Sequence, residues 1–373
     1  MSISGIDAVD GSPPANRCVI GGMPKGGAMM KSVATIGLDI AKSVFYVHGV
    51  NAAGQVVFRQ RLTRGRVLAF FEKLAPCLIG MEACGNSHYW ARELIALGHE
   101  VRLMPAQYVK PYVKRGKNDA ADAEAICEAV TRPTMRFVPV KTPEQQSIMM
   151  LHRVRLMLNR QRTQLSNSIR SHLSEFGIVA PIGRRGIDQL LAIVANIEDT
   201  RLPADARLCL QMLAAQLAVV KEQILENDRR VRASARQTDL GRRLMEIPGV
   251  GPLIASAFIA SVADPAAFKT GRDLSAWIGL VPKQKSSGGK ERLGSISKAG
   301  NRYLRQMLVV GATAVIRYAE RYGTHRPWLI QLMQRRTVKI AAVALANKMA
   351  RIIWALMTSG ERYREPAVAE VAA

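Results

Sequence analysis

The sequence predicts an α/β domain followed by all-α regions. Three observations predict this fold class. Short β-rich runs dominate the first part of the chain, two long segments with helical apolar periodicity fill the middle, and a compact apolar helical stretch follows them. With 373 residues, 48% of them hydrophobic, the chain can build two or three cores.

The first domain opens with three β-rich runs separated by turn residues, TIGLDI, VFYVHGV and QVVFRQRL. Helix GRVLAFFEKL, strand CLIGME, helix SHYWARELIALG, strand EVRLMP and helix DAADAEAICEAVTR then alternate. A three-stranded meander followed by alternating strands and helices implies a mixed sheet with helices packed on it. This is the arrangement of the RNase H-like fold.

Two long helices are predicted at about Glu144–Phe176 and about Pro203–Arg236, each with the apolar spacing of a coiled-coil seam. The stretch APIGRRG between them allows an antiparallel hairpin or pairing with another subunit. The first helix has a basic edge, so the region is either a structural spacer or a recognition element. The arginines of this edge are Arg153, Arg155, Arg160, Arg162 and Arg170.

These patterns divide the chain into five predicted parts. They are 1–32, a Gly- and Pro-rich extension without packed structure; 33–142, the RNase H-like domain; 143–240, the coiled-coil region; 241–362, a mostly α C-terminal domain; and 363–373, a frayed tail. An alternative for the extension is an upstream over-reading of a start at Met29 or Met30.

The charge of the chain predicts a polyanionic partner. Lys and Arg outnumber Asp and Glu by 53 to 29, which gives a net charge of +24 and a pI near 10.4. Up to Val130 there are 15 basic and 11 acidic residues, a net +4, and the remaining 38 and 18 give +20. Such an excess attracts nucleic acid, and candidate catalytic acids are to be sought in the first part.

Cysteine, histidine and hydropathy patterns exclude other classes. The five cysteines are scattered without a C-x-x-C pair and the six histidines lack zinc-ligand spacing, so neither a disulfide framework nor a zinc site is indicated. The apolar run Ile340–Met357 is interrupted by Asn347, Lys348 and Arg351, which is costly in a membrane span. A cytoplasmic protein without a membrane partner is expected.

Four acidic residues from distant segments are candidates for one site. Asp39 ends the first predicted strand and Glu82 the fourth, while Asp119 and Asp122 share one face at the start of a helix. Clustered carboxylates repel one another unless they bind a cation, and their hard oxygens select Mg²⁺ or Mn²⁺, which suits phosphodiester chemistry. The alternative for Asp119 is a helix N-cap, with Asp122 favourable to the helix dipole.

An actin-like ATPase or sugar kinase would also open with a strand and an Asp. Those proteins need a glycine soon after that Asp, so that backbone N–H groups can approach phosphate, whereas LDIAKS has Ala41 and Lys42. This alternative is therefore disfavoured.

The C-terminal domain carries two motifs for phosphate contact. In IPGVGP, Gly249 and Gly251 permit the turn of a helix-hairpin-helix that presents N–H groups to a phosphate; the alternative is a plain αα-turn. In LVPKQKSSGGKERLGSISKAGNRYLR, Ser286 and Ser287 precede two glycines, and a helix is predicted to start near Lys298. The surrounding cations are Lys283, Lys285, Lys290, Arg292, Lys298, Arg302 and Arg305. This segment is a solvated basic loop, a phosphate-binding loop or the site of a serine nucleophile.

Five motifs in order resemble the transposases of the insertion-sequence 110 family over about residues 33–355. They are TIGLDIAKSVFYVHGV, IGMEACGNSHYWARELIALGHEV, VKRGKNDAADAEAI, IPGVGPLIASAFIASV and WIGLVPKQKSSGGKERLGSISKAGNRYLRQMLVVGA. The resemblance implies a DEDD-type recombinase with a RuvC-like domain, a coiled coil and a C-terminal transposase domain. The family's metal-binding acids fall on Asp39, Glu82, Asp119 and Asp122, and its nucleophilic serine on Ser287, with Ser286 one alignment position away.

The resemblance also implies a mechanism and partners. Carboxylate-bound Mg²⁺ would assist attack by Ser287 on a DNA phosphate, giving a phosphoserine intermediate that preserves the ester bond energy. The partners would be donor and target DNA and a bridge guide RNA, and the protein would act as a tetramer or dimer of dimers, associated with the nucleoid of a bacterial or archaeal cell. In such an assembly, the acids and the serine of different subunits could form one composite site. The glycines would give the serine loop its freedom and the cations would hold phosphate.

Two other functions stay open at this point. A metal-dependent junction nuclease of RuvC type would use the acids and leave the serine loop to bind DNA. A non-catalytic nucleic-acid-binding protein would use the hairpin motif and basic helices alone.

Overall fold

The computed structural model of the protein describes residues 32–114, 118–324 and 326–365. The chain forms two compact units, 1–140 and 141–373. The predicted N-terminal extension up to residue 31, the alternative start at Met29 or Met30, and residues 366–373 of the predicted tail lie outside the described residues.

The first unit contains a five-stranded mixed sheet in the order β3-β2-β1-β4-β5. Its strands are β1 (Val33–Ile40), β2 (Val44–Asn51), β3 (Val56–Thr63), β4 (Leu78–Glu82) and β5 (Glu100–Met104). β1 pairs antiparallel with β2, and β2 with β3, whereas β1–β4 and β4–β5 are parallel. The predicted mixed α/β region is thereby confirmed.

Four helices belong to this unit: α1 (Val67–Phe71), α2 (Ser87–Ala96), α3 (Ala106–Val109) and α4 (Asp119–Val130). Phe45, Phe71 and Trp90 join the aliphatic side chains of the strands in one core. A second cluster, with Ile126 and Val130, forms under α4. Helix α4 lies directly on the sheet, so the residues of its first turn lie close to the ends of the strands beneath it.

The second unit is almost entirely helical. Its helices are α5 (Pro143–Ser174), α6 (Arg184–Ala195), α7 (Ala204–Gln237), α8 (Asp239–Leu244), α9 (Pro252–Ser261), α10 (Gly271–Ile278), α11 (Arg302–Tyr322), α12 (Pro327–Arg335) and α13 (Val338–Ser359). Between α10 and α11 lies a two-stranded sheet of β6 (Pro282–Gln284) and β7 (Leu293–Ile296). The sequence pattern did not predict α6, β6 or β7.

The long helices α5 and α7 pack against each other within the chain. α5 starts in a capping box, in which Thr142 and Gln145 satisfy each other's backbone N–H groups. Leu158 packs with Val220 and Ile224, and the segment after Leu165 packs with earlier residues of α7, so the two helices run antiparallel. Of the two predicted arrangements, an antiparallel hairpin or pairing with another subunit, the structure shows the hairpin.

The C-terminal helices surround α9, which is apolar on nearly every face and contributes Phe258 to a large core. Gly249 in the preceding turn has φ +84, and an added Cβ there would lie 2.8 Å from the carbonyl oxygen of Gly311 on α11. Glycine is therefore required at position 249 both for backbone conformation and for close packing.

Among the described residues, two helices, α7 and α13, have the length and apolar composition of a membrane span. The most apolar stretch of α13 is 44% buried inside the protein, and that of α7 is 22% buried. Core helices of proteins without a membrane have the same properties, so these helices are weak evidence for a span.

Candidate active site

Asp39 and Glu82 lie side by side because their strands are parallel neighbours. The register pairs Gly37 with Gly80 and Leu38 with Met81, and the next residue on each strand is Asp39 or Glu82. Both strands end here, so their carboxylates occupy the carboxyl edge of the sheet.

Helix α4 brings two more carboxylates to this edge. Its N-cap is Asn118, whose side chain accepts a hydrogen bond from Ala120 N at 2.9 Å, while Asp119 and Asp122 occupy the first turn. The alternative interpretation of Asp119 as the N-cap is therefore wrong. Acidic residues in a first turn are favoured by the helix dipole, which partly offsets their mutual repulsion.

Two glycines let α4 approach the sheet closely. A Cβ added to Gly37 would lie 2.0 Å from the carbonyl oxygen of Ala123 and 2.4 Å from the backbone N of Cys127. A Cβ on Gly80 would lie 2.7 Å from Cβ of Val130. Each glycine lies two residues before a strand-end acid and so faces the same side of the sheet as that acid. The close contact fixes the first turn of α4 beside Asp39.

One carboxylate oxygen each from Asp39, Asp119 and Asp122 lies within 4.8 Å of the other two. Burial, together with the charges of Asp122, Asp119 and Glu82, raises the pKa of Asp39 from 3.8 to about 6. Burial also raises the pKa of Glu82, with a contribution from Asp122. All four predicted acids therefore belong to one electrostatic cluster, and the 4.8 Å spacing holds for Asp39, Asp119 and Asp122.

This donor set fits a divalent metal ion. Carboxylate oxygens are the ligands that Mg²⁺ and Mn²⁺ prefer, and a cation would offset the repulsion that, after burial, raises the pKa of Asp39.

Two residues beside the acids were not predicted from the sequence. Tyr46 on β2 is the cross-strand partner of Asp39, and Arg61 on β3 is the partner of Tyr46. Directly opposed residues of antiparallel strands project to the same face, so a half-buried tyrosine and an exposed arginine extend the acidic edge. The alternation of side chains along the predicted strands indicates which residues share a face, but it does not give the register that pairs Asp39 with Tyr46 and Tyr46 with Arg61.

The serines lie in a short β-hairpin that we call the serine hairpin, residues Pro282–Ile296. At its tip Lys290 N donates to the carbonyl of Ser287 at 3.1 Å, and Gly288 and Gly289 have φ of 57 and 74. Two consecutive left-handed residues form the tight turn that matches the twist of paired strands. The expectation that the glycines free this loop is therefore corrected, because they close a turn.

The two serines have different environments. The hydroxyl oxygen of Ser286 accepts a hydrogen bond from Arg292 N at 3.2 Å across the hairpin. Ser287 contributes its carbonyl to the turn, and within the described part of the chain its hydroxyl forms no hydrogen bond. Residues 282–295 are all exposed. Ser287 therefore has the more accessible hydroxyl.

The predicted cations of this segment fall into two groups. Exposed side chains without a salt bridge to a described acid belong to Lys283, Lys285, Lys290, Arg292, Lys298 and Arg302. Arg305 instead donates to the carbonyl oxygens of Ile278, at 2.5 Å, and Ala299, at 2.7 Å. Arg305 therefore links the backbone segments on either side of the serine hairpin. Its contact with nucleic acid stays a prediction.

The base of the serine hairpin is tightly held. Lys298 has φ +55, unusual for a residue with a side chain, and its N–H donates to the carbonyl of Gly279 at 3.1 Å. A Cβ on Gly300 would lie 1.8 Å from the carbonyl oxygen of Trp277. Helix α11 then begins at Arg302 with Asn301 as its N-cap, so the predicted start near Lys298 is wrong.

The turn with Gly249 and Gly251 joins the short helix α8 to α9. Gly251 is the N-cap of α9 and is exposed, with open space where a Cβ would be. Gly249 packs against α11, as described above. Phosphate contact through this turn stays a prediction, and Gly251 is the more accessible of the two glycines.

Two family models match this chain. Residues 36–178 match one that is described as Transposase and named for DEDD enzymes of insertion sequence 110. Residues 241–326 match one described as Transposase IS116/IS110/IS902 family. The four acids lie within the first match and the serine hairpin within the second.

Relatives align along most of the chain. A probable family 20 transposase of Pseudomonas aeruginosa is 50% identical over 335 residues, which cover 89% of this chain and 99% of the relative. The transposase for insertion sequence element IS1111A of Coxiella burnetii is 40% identical over 336 residues, 90% and 92% of the two chains. The transposase for insertion sequence element IS1328 of Yersinia enterocolitica is 38% identical over 332 residues, 89% and 98%.

Proposed function

The chain belongs to the IS116/IS110/IS902 transposase family, whose members cleave DNA and transfer strands, and from this premise we propose a serine mechanism assisted by carboxylate-bound Mg²⁺. The first unit would be a RuvC-like nuclease domain. The observation that carries the proposal is the convergence of three acids within 4.8 Å, with a fourth raising their mutual repulsion.

The acids Asp39, Glu82, Asp119 and Asp122 would hold Mg²⁺, or Mn²⁺ in its place. A divalent cation there polarises a phosphate and stabilises the charge on the attacking and leaving oxygens. Arg61 and Tyr46, next to Asp39 on the same face, would contact the DNA backbone and hold the scissile strand at this edge.

Ser287 is the proposed nucleophile. Its Oγ would form a bond to the phosphorus, the bond to one deoxyribose oxygen would break, and the serine proton would leave to a base or to water. Attack by the hydroxyl of the incoming strand would reverse the exchange and release Ser287, so the ester bond is kept without a high-energy cofactor. Accessibility of its hydroxyl and the nearby Lys285 and Lys290 support this assignment over Ser286.

The proposed partners are donor and target DNA, a bridge guide RNA and further copies of this chain, in a tetramer or dimer of dimers. A net charge of +24 supports simultaneous contact with several nucleic-acid strands. We expect this assembly to act in the cytoplasm on nucleoid DNA.

The proposal is tested with purified full-length protein, RNA transcribed from the flanking region of its element, and labelled donor and target DNA in Mg²⁺. Denaturing gels would compare wild type with Ser287→Ala, Asp39→Asn and the matched control Ser286→Ala. The expected result is a protein-linked DNA band in wild type and Ser286→Ala that is lost in the other two variants.

Two results would contradict the mechanism. Free hydrolysed ends that persist in Ser287→Ala but vanish in Asp39→Asn would identify a metal-dependent nuclease instead. Cleavage that survives Asp39→Asn would remove the acidic cluster from the chemistry. Omission of the RNA separates guided from unguided cleavage, because only the guided reaction requires it.

A further inference from the structure

The second half of α11 presents two arginine–tyrosine pairs on one exposed face. The segment RYAERY places Arg317 beside Tyr318 and Arg321 beside Tyr322, one helical turn apart. Tyr318 is 65% exposed and Tyr322 63% exposed. The opposite face carries Ile316 and Ala319 into the core, so this orientation is fixed by packing.

The two tyrosine rings form one aromatic surface. Their centroids lie 4.8 Å apart with an interplanar angle of 44°. The guanidinium of Arg321 lies over the Tyr322 ring, 5.3 Å from its centroid. We call this surface, made of Arg317, Tyr318, Arg321 and Tyr322, the tyrosine platform.

Neither fold stability nor the chemistry proposed above explains the tyrosine platform. Its rings are mostly in water, where they add little to the core, and they belong to neither the acidic cluster nor the serine hairpin. Within the described residues, Arg317 and Arg321 form no salt bridge, although Glu320 lies between them in sequence. Exposed rings with unpaired cations at their edges are the composition of a nucleobase-stacking site.

We propose that the tyrosine platform binds unpaired nucleotides of a single-stranded nucleic acid. One or two bases would stack on Tyr318 and Tyr322, and Arg317 and Arg321 would bind the flanking phosphates. This inference deepens the proposed function and rests on it, since it assigns part of the expected nucleic-acid contact to one surface.

Ring chemistry favours a single strand over a duplex. Bases inside a duplex already stack on their neighbours and offer no free face, whereas loops and displaced strands do. A duplex would still bind the arginines through its phosphates, but the rings would add nothing. The tyrosines therefore predict that this surface prefers single strands to duplexes, a preference that a basic surface without aromatic rings would not have.

Charge favours nucleic acid over a second copy of this chain. Helix α11 carries four arginines against the single Glu320, and residues 141–373 carry 36 Lys and Arg against 18 Asp and Glu, a net +18. A symmetric contact through this face would bring the same arginines together, which costs free energy. A polyanion instead complements them.

The test uses full-length protein and fluorescein-labelled oligomers of about 15 nucleotides: oligouridylate, oligothymidylate, an abasic oligomer of equal charge, and a duplex. Fluorescence anisotropy would compare wild type with the double variant Tyr318→Ala/Tyr322→Ala and the ring-preserving Tyr318→Phe/Tyr322→Phe. Val310→Ala is the matched control, because Val310 is 58% exposed on the same helix and has no ring. Thermal unfolding and sedimentation would check that each variant keeps its fold and mass.

We expect the alanine pair to weaken binding of both single strands by roughly tenfold or more, and the phenylalanine pair and Val310→Ala by less than about twofold. Abasic and duplex affinities should stay within about twofold in all variants. A difference between oligouridylate and oligothymidylate that the alanine pair removes would identify RNA or DNA as the preferred source of the bases.

The proposal is overturned if the alanine pair binds every oligomer like wild type. It is also overturned if that pair lowers the sedimenting mass while leaving oligomer affinity intact, because the surface would then be a subunit contact. Asp39→Asn separates this proposal from the proposed function: loss of DNA cleavage in Asp39→Asn together with unchanged binding in the alanine pair would remove the tyrosine platform alone.

Discussion

The acidic cluster and the serine hairpin are built in opposite ways. The cluster takes its residues from β1, β4 and α4, and it exists because Gly37 and Gly80 allow α4 to lie on the sheet. The serine hairpin is one continuous segment whose residues 282–295 are all exposed and whose turn is closed locally by two glycines. Groups that must share a ligand need a rigid scaffold, whereas a nucleophile that must reach a strand can lie on an exposed turn.

The two regions are also opposite in charge. Burial and the repulsion of neighbouring carboxylates raise the pKa of Asp39 to about 6, so the cluster favours a cation. Lys283, Lys285 and Lys290 on the serine hairpin form no salt bridge with a described acid, so this region favours an anion. The two regions therefore favour ligands of opposite charge.

The largest effect is expected from removing one ligand of the cluster. Asp122→Asn should reduce Mg²⁺-dependent DNA cleavage by more than roughly 100-fold, since it removes a charged oxygen donor. Glu128→Gln on the same helix is the control, because Glu128 pairs with Arg132 on the outer surface. Timed cleavage assays would measure both. Equal rates for Asp122→Asn and Glu128→Gln would contradict the assignment of the cluster as the metal site.

Replacing a glycine by alanine should cost more free energy of unfolding at the acidic cluster than at the serine hairpin. Gly37→Ala places a Cβ 2.0 Å from a backbone oxygen of α4 and should destabilise the first unit by about 3 kcal/mol or more. Gly288→Ala meets no atom within 4 Å, so only its left-handed backbone costs free energy, about 1 kcal/mol and local to the turn. Calorimetric unfolding would compare the variants. Similar losses of stability in the two variants would contradict the claim that Gly37 is closely packed and Gly288 is not.

Stability should depend on pH in opposite directions in the two units. His152 on α5 is buried, bonded to Tyr303 Oη at 2.8 Å and Ser256 Oγ at 3.0 Å, and burial, with Arg155 nearby, lowers its pKa from 6.5 to about 4. Because the unfolded chain binds this proton more readily, the contribution of His152 to the free energy of unfolding depends on pH. It is fully present above pH 6.5, and up to about 3 kcal/mol is lost as the pH falls towards 4.

For Asp39 the sign is reversed. Its pKa is raised in the folded protein, so its contribution is present below about pH 3.8 and lost as the pH rises through about 6; solvent screening reduces the effect to about 1 kcal/mol. Metal-free unfolding curves from pH 4 to 8 would test both residues. His152→Gln should remove the acid-side loss, and Asp39→Asn the loss on the alkaline side. Unchanged pH profiles in these variants would contradict the assignments.

The smallest effect is expected at Ser286. Ser286→Ala removes the hydrogen bond from Arg292 N and should loosen the serine hairpin by about 1 kcal/mol, while DNA-adduct formation falls by no more than roughly tenfold. Rates of adduct formation in Ser286→Ala and Ser287→Ala would be compared. A complete loss in Ser286→Ala with activity retained in Ser287→Ala would exchange the roles of the two serines.

The sequence by itself determined the features that depend on neighbouring residues. Alternation and turn residues predicted all five strands of the first unit, apolar spacing predicted α5 and α7, and the carboxyl groups Asp39, Glu82, Asp119 and Asp122 were recognisable from their places at element ends. These signals span only a few residues, so they can be read without tertiary contacts.

Only the tertiary structure decided how those elements meet. The register that sets Asp39 beside Tyr46 and Glu82, and the docking of α4 over Gly37, depend on contacts between residues far apart in sequence. The same holds for the hydrogen bonds that Arg305 donates to Ile278 and Ala299, which no local pattern predicted. Strand register and helix docking are set by the fit of whole surfaces, and no local sequence pattern encodes that fit.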